Sequence, residues 1–138
     1  MKLNIPANCY IRWQAALAVL EDLQEDKQAP FTMTHWAGKE TIWEKTNGCG
    51  TAACFAGYMS IAPYCRALGY PKDDNGWQAN YWLLDGHYGT GEIYRYLFHY
   101  TINKGSRAKT LTYLKKTLKQ IFKDSTGKRL VAPLTFWI

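Results

Sequence analysis

The stretch Ser106-Arg107-Ala108-Lys109-Thr110-Leu111-Thr112-Tyr113-Leu114-Lys115-Lys116-Thr117-Leu118-Lys119-Gln120-Ile121-Phe122-Lys123-Asp124-Ser125-Thr126-Gly127 reads as one amphipathic helix. Ser106 is a good N-cap, because its hydroxyl can accept from a first-turn N–H. Leu111, Leu114, Leu118, Ile121 and Phe122 recur at i, i+3, i+7, i+10 and i+11, which places them on one face. Lysines fill the other faces, and Gly127 supplies the residue that tolerates a left-handed stop. A helix with so clear an apolar stripe needs a core to bury it, so the fold is expected to be built on this element.

The second half of that core is expected at Asn47-Gly48-Cys49-Gly50-Thr51-Ala52-Ala53-Cys54-Phe55-Ala56-Gly57. Two glycines turn the chain, Thr51 is placed to start a helix, and the small residues Ala52, Ala53, Ala56 and Gly57 let a neighbour come close. That helix should run from Ala52 to about Ile61. Pro63 then breaks or restarts it, and Gly69 ends the next turn in an αL cap.

Working outward, Asn8 is expected to cap a helix to about Gln24, with Trp13, Leu17, Leu20 and Leu23 near a 3.6-residue period. Its end, Glu21-Asp22-Glu25-Asp26, opposes the helix dipole, so that end is expected either to fray or to meet a basic surface, for which the last helix is the candidate. Phe31, Met33 and Trp36 are read as large side chains plugging the core from an extended segment. Thr41-Ile42-Trp43 is the one candidate short strand before the glycine turn. A helix from about Gly76 to Leu84 should bury Trp77, Tyr81 and Leu84. Another, Gly91 to Tyr100, should turn Ile93, Leu97 and Phe98 inward. Leu130 to Ile138 should dock as a strand or an extended tail. The expected fold is mainly α, a compact single domain over residues 1–138 with five or six helices and at most a minor strand element.

Charge is unevenly distributed. Residues 1–103 carry 8 Lys/Arg and 10 Asp/Glu, whereas residues 104–138 carry 9 Lys/Arg and one Asp, within a net charge of +6. Basicity concentrated at one end points to an acidic partner there. The expected binding residues are Arg107, Lys109, Lys115, Lys116, Lys119, Lys123, Lys128 and Arg129, with Tyr113 available for stacking. No apolar run approaches the roughly 18 residues of a membrane span. The four cysteines lack a framework spacing, and a cytosolic protein with reduced thiols is expected.

Chemistry at the glycine turn is the competing reading. Cys49 precedes a helix start, which favours a thiolate, and His87, beside Asp85 in sequence, is a candidate base. Gly50, Thr51 and Ala52 are a candidate anion site through their N–H groups. The pattern Gly48-x-Gly50-x-x-Ala53 lacks the acidic residue about 20 positions on that a dinucleotide site needs. Cys49, Cys54 and a histidine lack the second pair of a zinc site. No cofactor and no metal are therefore expected, and Cys49 and Cys54 read first as packing residues.

Phe31, Met33 and Trp36, then Cys49-Gly50-Thr51-x-x-Cys54-x-Ala56-Gly57, then Leu68-Gly69, then Leu97-Phe98 resemble a group of uncharacterised small proteins common in bacteriophages and mobile elements. Tyr58 stands where that group usually has Trp, and the basic helix lies beyond the resemblance. The resemblance implies phage origin and a mostly helical fold, and no mechanism. With the charge distribution, it leads to the expectation of a non-enzymatic accessory protein in the host cytoplasm. Such a protein would bind and inhibit a host protein or ribonucleoprotein with an acidic surface, as an anti-CRISPR-type or other anti-defence inhibitor. The alternatives are a ligand-binding sponge or Cys-dependent enzyme centred on Cys49–Thr51, and a nucleic-acid-binding regulator.

Overall fold

The computed structural model describes residues 2–27, 29, 31, 33, 54–71, 76–86, 93–99 and 101–133, with the side chains of 76 and 77 left aside. The fold is mainly α. A single 3₁₀ turn, Ala7–Cys9, leads into α1, Tyr10–Glu25. Then come α2 (Phe55–Ile61), α3 (Pro63–Ala67), α4 (Gly76–Leu84), a π-helical turn (Tyr94–Phe98) and α5 (Arg107–Thr126). The described residues contain no strand, so the minor strand element is not found among them, and Thr41–Trp43 lies outside them.

The helix α5 forms as its sequence dictates. The Ser106 hydroxyl accepts from the Lys109 N–H at 3.1 Å. Gly127 adopts φ +73° and donates to the Lys123 carbonyl at 2.7 Å, closing the helix. Leu111, Leu114, Leu118, Ile121 and Phe122 are buried, as the stripe required.

The partner of that stripe is α1, which lies antiparallel to it. The Leu3 N–H donates to the Ser125 hydroxyl at 2.8 Å, whereas Glu21 pairs with Lys115, so the start of α1 meets the end of α5. Helix α1 is buried far beyond one stripe: Ala15, Ala16, Leu17, Ala18, Val19 and Leu20 are all in the core. Its alanines let α2, α3 and α4 pack on sides that a simple amphipathic helix would leave wet. Trp13 is fully buried, donates its indole N–H to the Leu83 carbonyl at 2.9 Å, and lies against Phe122. One side chain thus joins α1, α4 and α5.

At several points tertiary packing overrides the local sequence pattern. Asn8 does not cap α1; its amide reaches Asp85 at 3.4 Å, and the 3₁₀ turn starts the helix instead. Helix α2 begins at Phe55, with Cys54 as cap: its sulfur accepts from the Gly57 N–H at 3.4 Å. A start at Ala52 with Thr51 as cap is therefore replaced. In α4 the buried side is Ala79, Asn80 and Trp82–Leu84, while Tyr81 is exposed. Tyr81 precedes three consecutive buried residues, so the face set by packing is rotated from the one that aromaticity suggested.

Elsewhere the chain follows its local pattern. Pro63 opens α3, and Gly69, at φ +89°, closes it. Gly69 N–H donates to Arg66 O and Tyr70 N–H to Cys65 O, each at 3.0 Å, the paired bonds of a Schellman motif. Met33 is buried, and its sulfur accepts from the Phe55 N–H at 3.4 Å. Ile93, Leu97 and Phe98 turn inward, and Phe98 stacks on Phe55. Leu130 docks in the core, and the Gln14 amide donates to the Val131 carbonyl; residues 134–138 of the expected tail lie outside the described residues.

Candidate macromolecule-binding surface

The basic residues of the C-terminal quarter divide into groups with different duties. Arg107 is spent inside the molecule. Its guanidinium donates to the carbonyls of Leu23 at 2.9 Å, Asp26 at 2.8 Å and Ala29 at 3.0 Å. These are carbonyls at or just past the end of α1, where a helix leaves acceptors unsatisfied. Lys115 points the same way, 3.1 Å from the Glu21 carboxylate and 3.3 Å from the Gln24 amide oxygen. The acidic end of α1 therefore meets α5 as the charge pattern required.

The remaining lysines face outward. Lys109, Lys116 and Lys123 are exposed and recur every seven residues, which is close to two full turns, so they form one line along the outer side of α5. Lys119 is half-buried on the adjoining side. Lys128 and Arg129 extend the charge past Gly127, with the Lys128 ammonium 5.3 Å from the centre of the Tyr10 ring. Among the described residues, the one ion pair made by a basic residue of α5 is Lys115–Glu21.

On the flank of α5 away from α1 lies an open groove of about 690 Å³. Its walls are Tyr113, Lys116 and Gln120 of α5, Arg95 and Tyr96 of the π-helical turn, and Lys2 of the N-terminal lead. Tyr96 is 42% exposed, and Lys2, Arg95 and Lys116 are exposed as well. The Lys104 ammonium sits 4.3 Å from the centre of the Tyr113 ring, adding positive charge beside it. At one end Gln120 donates to the Asp124 carboxylate at 2.7 Å, and that bond holds the Asp124 pKa below its ordinary value.

Sequence reading missed Lys2, Arg95, Tyr96 and Lys104 as surface partners of α5. Lys2 and Arg95 were submerged in a segment whose net charge is negative, and Lys104 lies just ahead of the helix cap. The available signal was the run Tyr94-Arg95-Tyr96, two aromatics around a cation on a short helix whose inward positions were already assigned.

The residues of the competing chemical site, Cys49, Gly50, Thr51, Ala52 and His87, lie outside the described residues, as does His35. His99 is half-buried, with its Nδ1 2.6 Å from the Thr101 hydroxyl. Cys9, Cys54 and Cys65 are buried thiols, and burial raises the pKa of both Cys9 and Cys65. Among the described residues no cluster of His, Cys, Asp and Glu could hold a metal ion, and no helix is long and apolar enough to cross a membrane. Comparison with protein-family models, with curated proteins and with solved structures finds no match.

Proposed function

We propose that this protein is a phage accessory protein that binds and inhibits a host macromolecule through the outward basic side of α5. The observation that carries the binding reading is the division of the lysines and arginines. Arg107 and Lys115 are consumed by the fold, yet Lys109, Lys116 and Lys123 stand in one exposed line facing away from α1. Solvated helix faces commonly mix signs; here Asp124 is the lone acid among the last 35 residues. A line of one sign raises the free energy of the isolated protein through self-repulsion, and an acidic partner relieves it. The resemblance carried by Cys49-Gly50-Thr51 through Gly57 supports phage origin alone; an anti-defence role, with a CRISPR-type effector as a fitting target, is our reading of what a phage protein with such a basic surface would bind.

The test is charge reversal at positions the fold does not use. The triple variant Lys109→Glu, Lys116→Glu, Lys123→Glu is compared with wild type for capture of partners from nuclease-treated bacterial lysate. Capture of an acidic partner by wild type and its loss in the variant is the expected outcome, with the melting temperature nearly unchanged, because exposed substitutions cost within about 0.5 kcal/mol each. Retention of the same partner by the triple variant overturns the proposal, and so does the absence of any partner of wild type.

A further inference from the structure

The groove beside α5 combines features that the basic line alone does not have. Three exposed cations, Lys2, Arg95 and Lys116, come from three separate parts of the chain and converge on one concavity. Two tyrosines share that concavity, one of them, Tyr96, with 42% of its surface exposed. An exposed aromatic ring forgoes the burial that Trp13, Phe55, Tyr70, Trp82, Phe98 and Phe122 obtain in the core. The volume, about 690 Å³, lies within the range of roughly 300–1,000 Å³ typical of ligand sites.

We infer that this groove binds single-stranded nucleic acid, with phosphates on Lys2, Arg95 and Lys116 and a base stacked on the exposed ring of Tyr96. Cationic grooves with interleaved aromatic platforms bind unpaired strands in this way, because every base has a face to stack and every linkage a charge to neutralise. Gln120 adds polar reading: its Nε2 is committed to Asp124, and its amide oxygen, unbonded among the described residues, is an acceptor for a base amino group. Lys116 belongs both to the groove and to the outer line of α5. A strand leaving the groove therefore meets Lys109 or Lys123, each about 10 Å along the helix from Lys116 at 1.5 Å per residue. This continuity favours a polymer over a mononucleotide. An acidic peptide would neutralise the cations but brings no flat base to the ring. A duplex keeps its bases stacked on one another and would offer phosphates alone.

The inference rests on the proposal that the outer line of α5 meets a polyanion, since Lys116 serves both. The experiment measures fluorescence anisotropy of a fluorescein-labelled oligothymidylate with the full chain, against a duplex of equal length and a labelled polyglutamate peptide. The single strand is expected to bind most tightly. Its affinity should fall with salt at a log–log slope of about −2, which is what three phosphate contacts on a single strand give. Tyr96→Ala should weaken binding roughly 5- to 150-fold, whereas Tyr96→Phe, which keeps the ring, should stay near wild type. Arg95→Ala should make the slope shallower by about 0.7. Equal or tighter binding of polyglutamate or duplex overturns the inference, as does an unchanged affinity in Tyr96→Ala. If the oligonucleotide does not bind while the triple lysine variant still loses a nuclease-resistant partner, the groove inference falls and the proposed function stands. If the oligonucleotide binds and no protein partner is captured, the groove stands and the inhibitor reading falls.

Discussion

Replacing Arg107 by alanine should be the most damaging single change among the basic residues of α5, although the sequence offers Arg107 as one surface cation of several. Its guanidinium bridges the start of α5 to the end of α1 through the carbonyls of Leu23, Asp26 and Ala29. Helix α1 has no basic residue in its last turn, and its terminal carbonyls sit among Glu21, Asp22, Glu25 and Asp26. The cation therefore satisfies acceptors and opposes the negative end of the dipole at once. Hydrogen bonds from a charged donor are worth about 1.5–3 kcal/mol when buried, and these are partly exposed, so about 0.5–1 kcal/mol each is the appropriate scale. Three acceptors give about 1.5–3 kcal/mol, and the dipole adds about 0.3–1 kcal/mol. The expected loss for Arg107→Ala is about 2–4 kcal/mol. At about 3–5 °C per kcal/mol for a domain of this size, the melting temperature should drop by roughly 6–20 °C. Arg107→Lys should recover a minor share, since an ammonium cannot span the three carbonyls with a rigid fork. Lys116→Ala, exposed on the same helix, should change stability by less than about 0.5 kcal/mol. Thermal unfolding followed by circular dichroism measures all three variants. A melting temperature for Arg107→Ala within about 2 °C of wild type would refute the bridging role and return Arg107 to the surface group.

Other expectations follow from individual side chains. Asp22 has a raised pKa, chiefly through burial, while the Tyr64 hydroxyl donates to it at 2.6 Å and Glu25 and Glu21 stand nearby. The folded state therefore holds this proton more tightly than the unfolded chain. Its ionisation removes stability as pH rises from the ordinary Asp range through the raised value. Asp22→Asn should be more stable than wild type at neutral pH, by about 0.3–1 kcal/mol from the dipole alone, and the gain should vanish below pH about 4. Denaturant titrations at several pH values decide it, and a gain that persists in acid would contradict the assignment. Asn80 is fully buried, and neither atom of its amide has a hydrogen-bond partner among the described residues. Asn80→Leu should leave the melting temperature equal or higher, because burying an unpaired amide costs about 1–3 kcal/mol; a clear loss of stability would mean that the amide has a partner. Native-state alkylation followed by mass spectrometry should leave Cys9 and Cys65 unlabelled until denaturant is added, since both are fully buried; early labelling of either would contradict that burial.

The sequence was most informative where a single local rule decides the outcome. The Ser106 cap, the Leu-Ile-Phe stripe of α5, the Gly127 stop, the restart at Pro63 and the αL end at Gly69 all stand as read. Each depends on backbone geometry or periodicity within a few residues. The opposition between the acidic end of α1 and the basic helix was also legible, because opposite charges in a small domain have few places to go. Where a distant neighbour decides, the structure departs from the local pattern. Asn8 had a capping residue's chemistry, yet Asp85, 77 positions away, took its amide. Thr51 resembled a helix start, but Cys54 caps the helix that packs beneath Met33. Tyr81 looked inward by size, whereas the packing of α4 buried Ala79 and Trp82–Leu84 instead.

By itself the sequence determined that this protein is mainly helical, that α5 is amphipathic and that its last quarter is strongly basic. Propensity, periodicity and charge are properties of a chain before it folds. Only the tertiary structure decided which positive charges are available. It turned Arg107 and Lys115 inward to α1, left Lys109, Lys116 and Lys123 in line, and brought Lys2, Arg95 and Tyr96 to the flank of α5. Net charge counts residues; a binding surface depends on which of them the packing leaves facing the same water.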